Sequence, residues 1–301
     1  MASTLDTGRL LGDAAHRRTP PRIMGKLAII YALLLVFSFI ALAPFVFASL
    51  SAFKTPDTVL EYPPTLIPHP WTWSNISSLF NSTISDVHFV RWLGNSLFYA
   101  VAIMLFNLVF SSMAAFALAR LEFIGKTFWF WVTLAVMMIP GQINWISVYI
   151  ILRNFGPFTL IDTYWAIILP AAAQPFSVFL LTQYLKGLPV EVEEAAVIDG
   201  ANRFRIYWQV ILPMAKPAMV AAAILSFQGA WNQFIQPLLY LDDPNKFPLT
   251  VGLQFFNGTY NGHPNLILAG ALFNTVPMLI IFFIFQRYFI EGAATSGLAG
   301  R

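Results

Sequence analysis

The stretch that decides the fold is Glu194-Ala-Ala-Val-Ile-Asp-Gly-Ala201, followed after eight residues by Val210-Ile-Leu-Pro213. It lies between the fourth and fifth of six long hydrophobic runs, and it is polar and rich in small residues where the flanking sequence is apolar. Alanine and glycine let the backbone of another protein approach closely. Acidic side chains offer charge-assisted hydrogen bonds to a basic surface. The pattern therefore predicts a structured loop outside the membrane that contacts a second protein.

The composition indicates an integral membrane protein. Of 301 residues, 58% are hydrophobic and 10% are charged, whereas a water-soluble domain has about 25% charged residues. A spanning helix needs about 20 apolar residues. Six runs meet this requirement: Leu27–Ser51, Trp92–Ala119, Thr127–Leu152, Tyr164–Tyr184, Pro217–Tyr240 and Leu266–Phe289. We therefore expect an all-α integral membrane protein with six transmembrane helices.

Cysteine and histidine usage limits the chemistry of the chain. It has no cysteine, which excludes disulfides, thiol catalysis and cysteine-ligated metals. Its four histidines are scattered along the sequence, so no metal site is predicted. No catalytic constellation is visible, and we expect a protein that is not an enzyme.

The basic residues predict the orientation in the membrane. Six spans place both termini on one side, and thirteen of the seventeen lysines and arginines fall on that side. The opposite side has Lys54, Arg91, Arg153 and Lys246. Because positively charged loops favour the cytoplasm, we expect both termini and the Glu194 loop to be cytoplasmic. The net charge of +3 then reflects topology and does not indicate nucleic-acid binding.

Three segments follow from these spans and this orientation. Residues 1–26 are expected to form a cytoplasmic tail, residues 27–290 the transmembrane domain, and residues 291–301 a second cytoplasmic tail. The long cytoplasmic loop of the domain covers 187–216.

Local signals within this loop predict two short helices joined by a sharp bend. Pro189 suits the first turn of a helix, and the acidic residues after it favour the positive end of the helix dipole. Asp199-Gly200 predicts the helix end, since glycine tolerates the left-handed conformation of a C-terminal cap. Asn202 can cap the helix that follows. The alternative is an amphipathic helix on the lipid surface, but such helices prefer basic polar faces and large apolar residues.

The loop is similar to the permease signature of ABC importers, here Glu194-Ala-Ala-x2-Asp-Gly-Ala-x8-Val-x-Leu-Pro213. Three further stretches resemble the shorter permease subunit of carbohydrate importers, the maltose-transporter MalG-like group: Arg91–Leu97, Phe247–Leu253 and Gln286–Gly292. The resemblance extends from about residue 27 to the end. It implies the type I ABC importer permease fold with a cytoplasmic coupling helix, in the cytoplasmic (inner) membrane of a bacterium or archaeon.

The resemblance also implies a set of partners. A second permease would complete a heterodimer in the membrane lipid, two copies of a cytoplasmic ATPase would bind beneath it, and an external binding protein would deliver a sugar. ATP and magnesium would bind to the ATPase, and this chain would bind no cofactor. The residues implied to contact the ATPase are Glu193, Glu194, Ala195, Ala196, Asp199, Gly200, Ala201 and Pro213. Those implied to contact the binding protein are Asn257, Gly258, Thr259, Tyr260, Asn261 and Gly262.

Polar and aromatic residues inside two spans are candidates for the substrate path, because a sugar needs amide hydrogen bonds and aromatic faces. They are Gln142, Asn144 and Trp145 in the third span, and Gln228, Trp231, Asn232 and Gln236 in the fifth. Unpaired amides in hydrocarbon are costly, so these side chains must face protein or water. The alternative is that the amides join helices to one another, as is common in membrane proteins.

Two other kinds of transporter remain as alternatives. An ion-coupled secondary transporter normally has ionisable groups within its spans, and these spans contain almost none. An ABC permease for a non-sugar solute such as glycerol phosphate is built on the same pattern, but its anionic substrate favours a basic lining that the spans lack. The sequence therefore favours a permease that forms half of the path for a neutral sugar and is coupled to ATP hydrolysis by a partner.

Overall fold

The computed structural model describes residues 21–81, 88–258 and 262–298. Within these ranges the α-helices are, in chain order, α1 Pro21–Ser51, α2 Pro56–Val59, α3 Ser74–Phe80, α4 Phe89–Arg120, α5 Lys126–Met138, α6 Trp145–Arg153, α7 Tyr164–Ile168, α8 Pro175–Lys186, α9 Glu191–Ile198, α10 Arg203–Arg205, α11 Leu212–Met214, α12 Lys216–Trp231, α13 Ile235–Tyr240, α14 Leu249–Gly252, α15 Phe255–Gly258 and α16 Pro264–Leu298. Short 3₁₀ helices cover Gly141–Asn144, Leu169–Ala171 and Pro244–Lys246, and a π-helix covers Ile206–Ile211. These ranges contain no β-strand, which confirms the all-α class.

The helix lengths and apolarity agree with six membrane spans. Four helices qualify singly: Ile29–Ser51, Phe89–Arg120, Tyr164–Lys186 and Pro264–Gln286. Two further pairs qualify if each bent pair is one span. They are Lys126–Met138 with Gly141–Arg153, bent by 94°, and Arg203–Met214 with Lys216–Trp231, bent by 79°. The described chain thus has four to six candidate spans.

Prolines explain why two of the predicted spans are interrupted. Pro140 lies in the break between α5 and the 3₁₀ helix that follows. The predicted fifth span, Pro217–Tyr240, is interrupted at residues 232–234. Its interruption follows from Pro237, since a proline ring clashes with the carbonyl four residues earlier, which here belongs to Gln233. That carbonyl accepts a hydrogen bond from the Thr250 hydroxyl instead.

Helix α4 connects the two ends of the bundle. Near its N-terminus Trp92 and Tyr99 pack into a core with Leu249 and Phe256. We call this the Lys246 end, after the lysine that lies beside it. The other end of α4 packs against α8 and the loop that contains α9, and we call it the Glu193 end.

Helix α1 is the exception to this packing. An 18-residue apolar window of its span has no residue buried within the chain. The helix begins at Pro21, so residues 21–26 of the predicted N-terminal tail are helical, whereas residues 1–20 lie outside the described ranges. The domain boundaries after residues 26 and 290 stay predictions.

Candidate functional site

The Glu194 loop has the predicted two-helix form. Helix α9 begins at Glu191 rather than at Pro189 and is followed by Gly200 with a φ of +77°, the left-handed conformation of a C-terminal cap. The Asn202 side chain accepts a hydrogen bond of 2.8 Å from the Arg205 backbone N–H, so it caps the next helix as predicted. The bend and the second helix therefore follow from local sequence.

The second arm of the loop, Arg203–Met214, packs onto the bundle. The Tyr207 hydroxyl lies 2.8 Å from the Ser112 hydroxyl of α4. The Tyr207 ring packs against Phe116 with 5.3 Å between centroids. Ile206 is fully buried in the same core. This arm fixes the loop beneath α4 and α8.

One surface of the loop is left exposed. Ile198 is 85% exposed, and the apolar side chains of Phe204 and Trp208 in the same loop are exposed as well. Of the residues predicted to contact an ATPase, the exposed ones are Glu194, Ala195, Asp199, Gly200 and Pro213, and the half-buried ones are Ala196 and Ala201. Apolar patches with polar rims are typical of protein contact sites.

Glu193 points the other way. Its side chain is 7% exposed, and its Oε1 lies 2.8 Å from Nε of Arg120, which is equally buried. The N–H is not aligned for a hydrogen bond, so opposite charge holds the pair together. Arg120 also donates a hydrogen bond of 2.7 Å from Nη2 to the Leu188 carbonyl. The resemblance implied that Glu193 contacts the ATPase, but the structure places its carboxylate inside the chain, where Arg120 supplies the counter-charge.

A different charge cluster lies at the Lys246 end. Lys246 Nζ lies 2.7 Å from Asp162 Oδ2 and 3.4 Å from Asp243 Oδ2. Burial favours a higher pKa for Asp162, but hydrogen bonds from Lys246 and from the backbone N–H groups of residues 243 and 242 outweigh it and lower that pKa. The hydrogen bond with Asp162 raises the pKa of Lys246. The Asn245 backbone N–H lowers the pKa of Asp243.

The first turns of α4 bind the segment that contains Lys246. The side chains of Trp92, Asn95 and Tyr99 donate hydrogen bonds of 2.8 to 3.0 Å to backbone carbonyls of residues 244–247. Two of the stretches that resemble carbohydrate permeases are thereby brought into contact. Sequence reasoning did not predict this contact, since more than a hundred residues separate the partners.

The predicted binding-protein contact lies mostly beyond what the structure describes. Residues 257 and 258 end helix α15, and Gly262 has a φ of +60°. Thr259, Tyr260 and Asn261 lie outside the described residues. The role of this segment stays a prediction.

Three interrupted spans line a cavity of about 530 Å³. Its wall includes residues at the breaks after α5 (Ile139 and Gly141), before α8 (Gln174) and after α12 (Gln233). Of the predicted path residues, Asn144, Trp145 and Gln236 line it. Gln174 and Gln233 also line it, although sequence reasoning missed them. Each lies close to a span-interrupting proline, a signal that would have identified them.

The other predicted path residues lie elsewhere. Trp231 is 1% exposed and donates a hydrogen bond of 3.0 Å from Nε1 to the Asn274 carbonyl, so it packs α12 onto α16. The Asn232 amide donates to the carbonyl of Gln228 on its own helix. Gln142, Gln228, Trp231 and Asn232 do not line the cavity.

The comparison with known families agrees with this geometry. The family described as binding-protein-dependent transport system inner membrane component matches residues 108–292. The arabinooligosaccharides transport system permease protein AraQ of Halalkalibacterium halodurans is 34% identical over 284 residues, which cover 94% of this chain and 99% of that protein. The sn-glycerol-3-phosphate transport system permease protein UgpE of Yersinia pestis bv. Antiqua is 28% identical over 271 residues, which cover 88% of this chain and 95% of that protein.

A solved structure has the same fold. The crystal structure of a bacterial ABC transporter involved in the import of the acidic polysaccharide alginate contains a chain that aligns with a TM-score of 0.77 and 24% identity. The alignment covers 91% of this chain and 99% of that chain. It confirms the predicted type I permease fold. The chain therefore belongs to the family of membrane permease components of binding-protein-dependent ABC importers.

Proposed function

We propose that this chain is one of two permease subunits of a carbohydrate importer and that α9 is the helix that couples it to an ATPase. The observation that carries the proposal is the two-sided construction of α9. Glu194 and Ala195 are exposed on one side, and the buried Arg120–Glu193 pair anchors the other side to α4. A helix held in this way can pass a displacement of its outer face to a membrane span.

The coupling contact uses the outward residues of the loop. Glu194 and Asp199 supply negative charge for a basic groove. Ala195 and Gly200 are small enough for the backbone of a partner to approach closely, and Ile198 adds an exposed apolar contact. ATP and magnesium bind to two copies of this partner ATPase, and the permease chain binds no cofactor of its own.

The remaining partners follow from the exposed parts of the chain. The apolar window of helix α1, which is not buried within this chain, is covered by lipid and by the second permease of a heterodimer. The segment around residues 257–262 contacts an extracytoplasmic binding protein. The basic-residue distribution supports a multi-pass orientation in which the Glu193 end and both termini are cytoplasmic.

The substrate class rests on two observations. The relative AraQ, at 34% identity, has arabinooligosaccharides in its name, and the cavity among the broken spans is lined by amides and aromatic rings. The likeness to UgpE supports a second candidate, a permease for an organic phosphate. The lower identity of UgpE and the lack of a basic side chain among the described cavity residues favour the sugar.

Reconstitution tests the proposal. The chain is combined in liposomes with its neighbouring permease, ATPase and binding protein, and the ATPase rate is measured with arabinooligosaccharides, maltose and sn-glycerol 3-phosphate. We expect stimulation by a sugar, and only when the binding protein is present. Stimulation by sn-glycerol 3-phosphate alone would favour the second candidate. A complex that assembles but responds to none of these solutes would contradict the carbohydrate assignment.

A further inference from the structure

We infer that the cavity among the three interrupted spans is a binding subsite for an uncharged, hydroxyl-rich solute. The side chains that would bind it are Asn144, Gln174, Gln233 and Gln236. The inference rests on the proposed importer function and deepens it, because it assigns direct solute contacts to this subunit rather than to its permease partner alone.

The first observation is that three consecutive spans each have a break with a residue in the wall of one cavity. Breaks at residues 139–140, 172–174 and 232–234 all contribute to one cavity wall. Irregular backbone inside a membrane is tolerated where it is buried in protein or lines a water-filled cavity, because its polar groups then find partners. Interrupted helices also form the solute sites of many transporters. The convergence of three breaks therefore indicates a cavity that can hold water or a solute.

The second observation is that the side-chain amides in this wall make no hydrogen bonds to the described part of the protein. Within the described residues, no hydrogen bond is made by the side chains of Asn144, Gln174, Gln233 and Gln236, and Gln233 Oε1 is fully buried without a partner. Amides that join helices look different in this molecule. Asn107 of α4 is fully buried, donates to the Ser177 hydroxyl over 2.8 Å and accepts from the Gln174 backbone N–H over 2.9 Å.

This contrast favours solute binding over helix joining for the cavity amides. If the cavity amides joined helices, they would be bonded as Asn107 is. An amide without a partner is costly in an apolar surrounding, so these groups need water or a solute to satisfy them. The exposed side chain of Asn144 and the half-buried side chains of Gln174 and Gln236 have that access at the cavity wall.

The third observation is the chemistry of the wall. Among its described residues there is no Asp, Glu, Lys, Arg or His. Each amide offers both a donor and an acceptor, which matches sugar hydroxyls, whereas a phosphate or carboxylate is bound best by cationic donors. Phe176, Trp145 and Tyr240 add aromatic rings for the apolar faces of a sugar. The volume of about 530 Å³ lies within the range of ligand pockets.

Gln-to-Met substitutions test the subsite in the reconstituted importer. Gln174→Met and Gln236→Met remove one amide each from different spans, and Gln183→Met, at an exposed glutamine outside the cavity, is the matched control. We expect the half-saturating arabinooligosaccharide concentration for ATP-driven uptake to rise about fivefold in each cavity variant, the usual effect of one lost hydrogen bond. The control should resemble the wild type.

The outcomes separate the subsite from the proposed function. Uptake by Gln174→Met and Gln236→Met that equals uptake by Gln183→Met would overturn the subsite and leave the importer standing. Absence of ATP-driven uptake of every sugar by the wild-type complex would overturn the importer and the inference together. ATP-driven uptake of sn-glycerol 3-phosphate in place of sugars would overturn the uncharged class of solute.

A labelling experiment keeps the test independent of transport rates. The chain has no cysteine, so Val148→Cys places a single thiol in the cavity wall without removing an amide. Arabinooligosaccharides should slow its reaction with a maleimide. The control is Ile151→Cys on the same helix, which is exposed and outside the cavity, and its labelling should not change. Equal labelling of Val148→Cys with and without the sugar would overturn the subsite.

Discussion

The two ends of α4 are held by different kinds of interaction. At the Glu193 end, the last residue of the helix, Arg120, holds α9 through a buried ion pair of 2.8 Å and one hydrogen bond to a carbonyl. At the Lys246 end, the first turns of the helix donate several uncharged hydrogen bonds to the backbone of residues 244–247.

This difference predicts how much each end is destabilised when one of its interactions is removed by mutation. One neutral hydrogen bond contributes about 1 kcal/mol, and its loss at the Lys246 end leaves the others in place. Removing one partner of a buried ion pair leaves an uncompensated charge at a cost of about 3–5 kcal/mol. We therefore expect the Lys246 end to be a rigid support and the Glu193 end to be the place where movement of α9 reaches a span.

Loss of Arg120 should have the largest effect. Arg120→Met leaves the Glu193 carboxylate buried without its counter-charge, so we expect about 3–5 kcal/mol of destabilisation and loss of ATP-driven uptake. Thermal unfolding of the purified complex and an uptake assay measure the two effects. The control is Arg153→Met, because Arg153 is exposed. The double variant Arg120→Glu with Glu193→Arg should recover part of the loss, and failure to do so would contradict a charge-based link.

Overpacking at Gly252 should have the next largest effect. A Cβ at this position would overlap the Trp92 indole, which is buried against α14. Gly252→Ala should therefore destabilise the Lys246 end by about 1–3 kcal/mol. The matched control is Gly229→Ala, since a Cβ there meets no atom within 4 Å. Equal melting temperatures for the two variants would contradict the prediction, since they would mean that the Trp92 indole moves aside without destabilising the protein.

Loss of one hydrogen bond at the Lys246 end should cost less. Tyr99→Phe removes the donor to the Lys246 carbonyl, and we expect about 1 kcal/mol of destabilisation with uptake preserved. The control is Tyr149→Phe, whose hydroxyl makes no hydrogen bond within the described residues. Abolished uptake in Tyr99→Phe would contradict the view that several hydrogen bonds together hold residues 244–247 at this end.

The charge cluster at the Lys246 end should have the smallest effect. The lowered pKa values of Asp162 and Asp243 mean that their contribution is complete above the usual value of 3.8 and is lost as the pH falls below it. The raised pKa of Lys246 means that its contribution is complete below 10.5 and is lost only at higher pH. The melting-temperature difference between the wild type and Asp162→Asn should therefore stay constant from about pH 5 to 9. A change in this melting-temperature difference between about pH 5 and 9 would contradict the assigned directions of the pKa shifts.

Local features of the fold could be predicted from the sequence. Gly200 and Asn202 determine the bend of the loop through their own backbone and side-chain preferences, and the apolar runs locate the spans. The direction of Glu193 could not be predicted, because its partner Arg120 lies at the end of a different span. Long-range contacts of this kind depend on how the helices pack, and no pattern in the sequence around either residue predicts them.

The lining of the cavity was predicted only in part for the same reason. Asn144 and Gln236 line the cavity, but Trp231, which looks equally suitable on the helical stripe, is buried against α16. Residue type identifies polar and aromatic side chains within a span. Which of them face a chamber depends on how three interrupted spans are arranged.

The most direct test of the central claim, that α9 couples an ATPase to this permease, is ATP-driven sugar uptake by the Glu194→Lys complex in liposomes. The control is Glu122→Lys, which makes the same charge change at an exposed acid of the Glu193 end outside the loop. We predict that Glu194→Lys inserts and keeps the wild-type melting temperature, since Glu194 is exposed, but loses uptake, while Glu122→Lys transports normally. Normal uptake by Glu194→Lys would contradict the account.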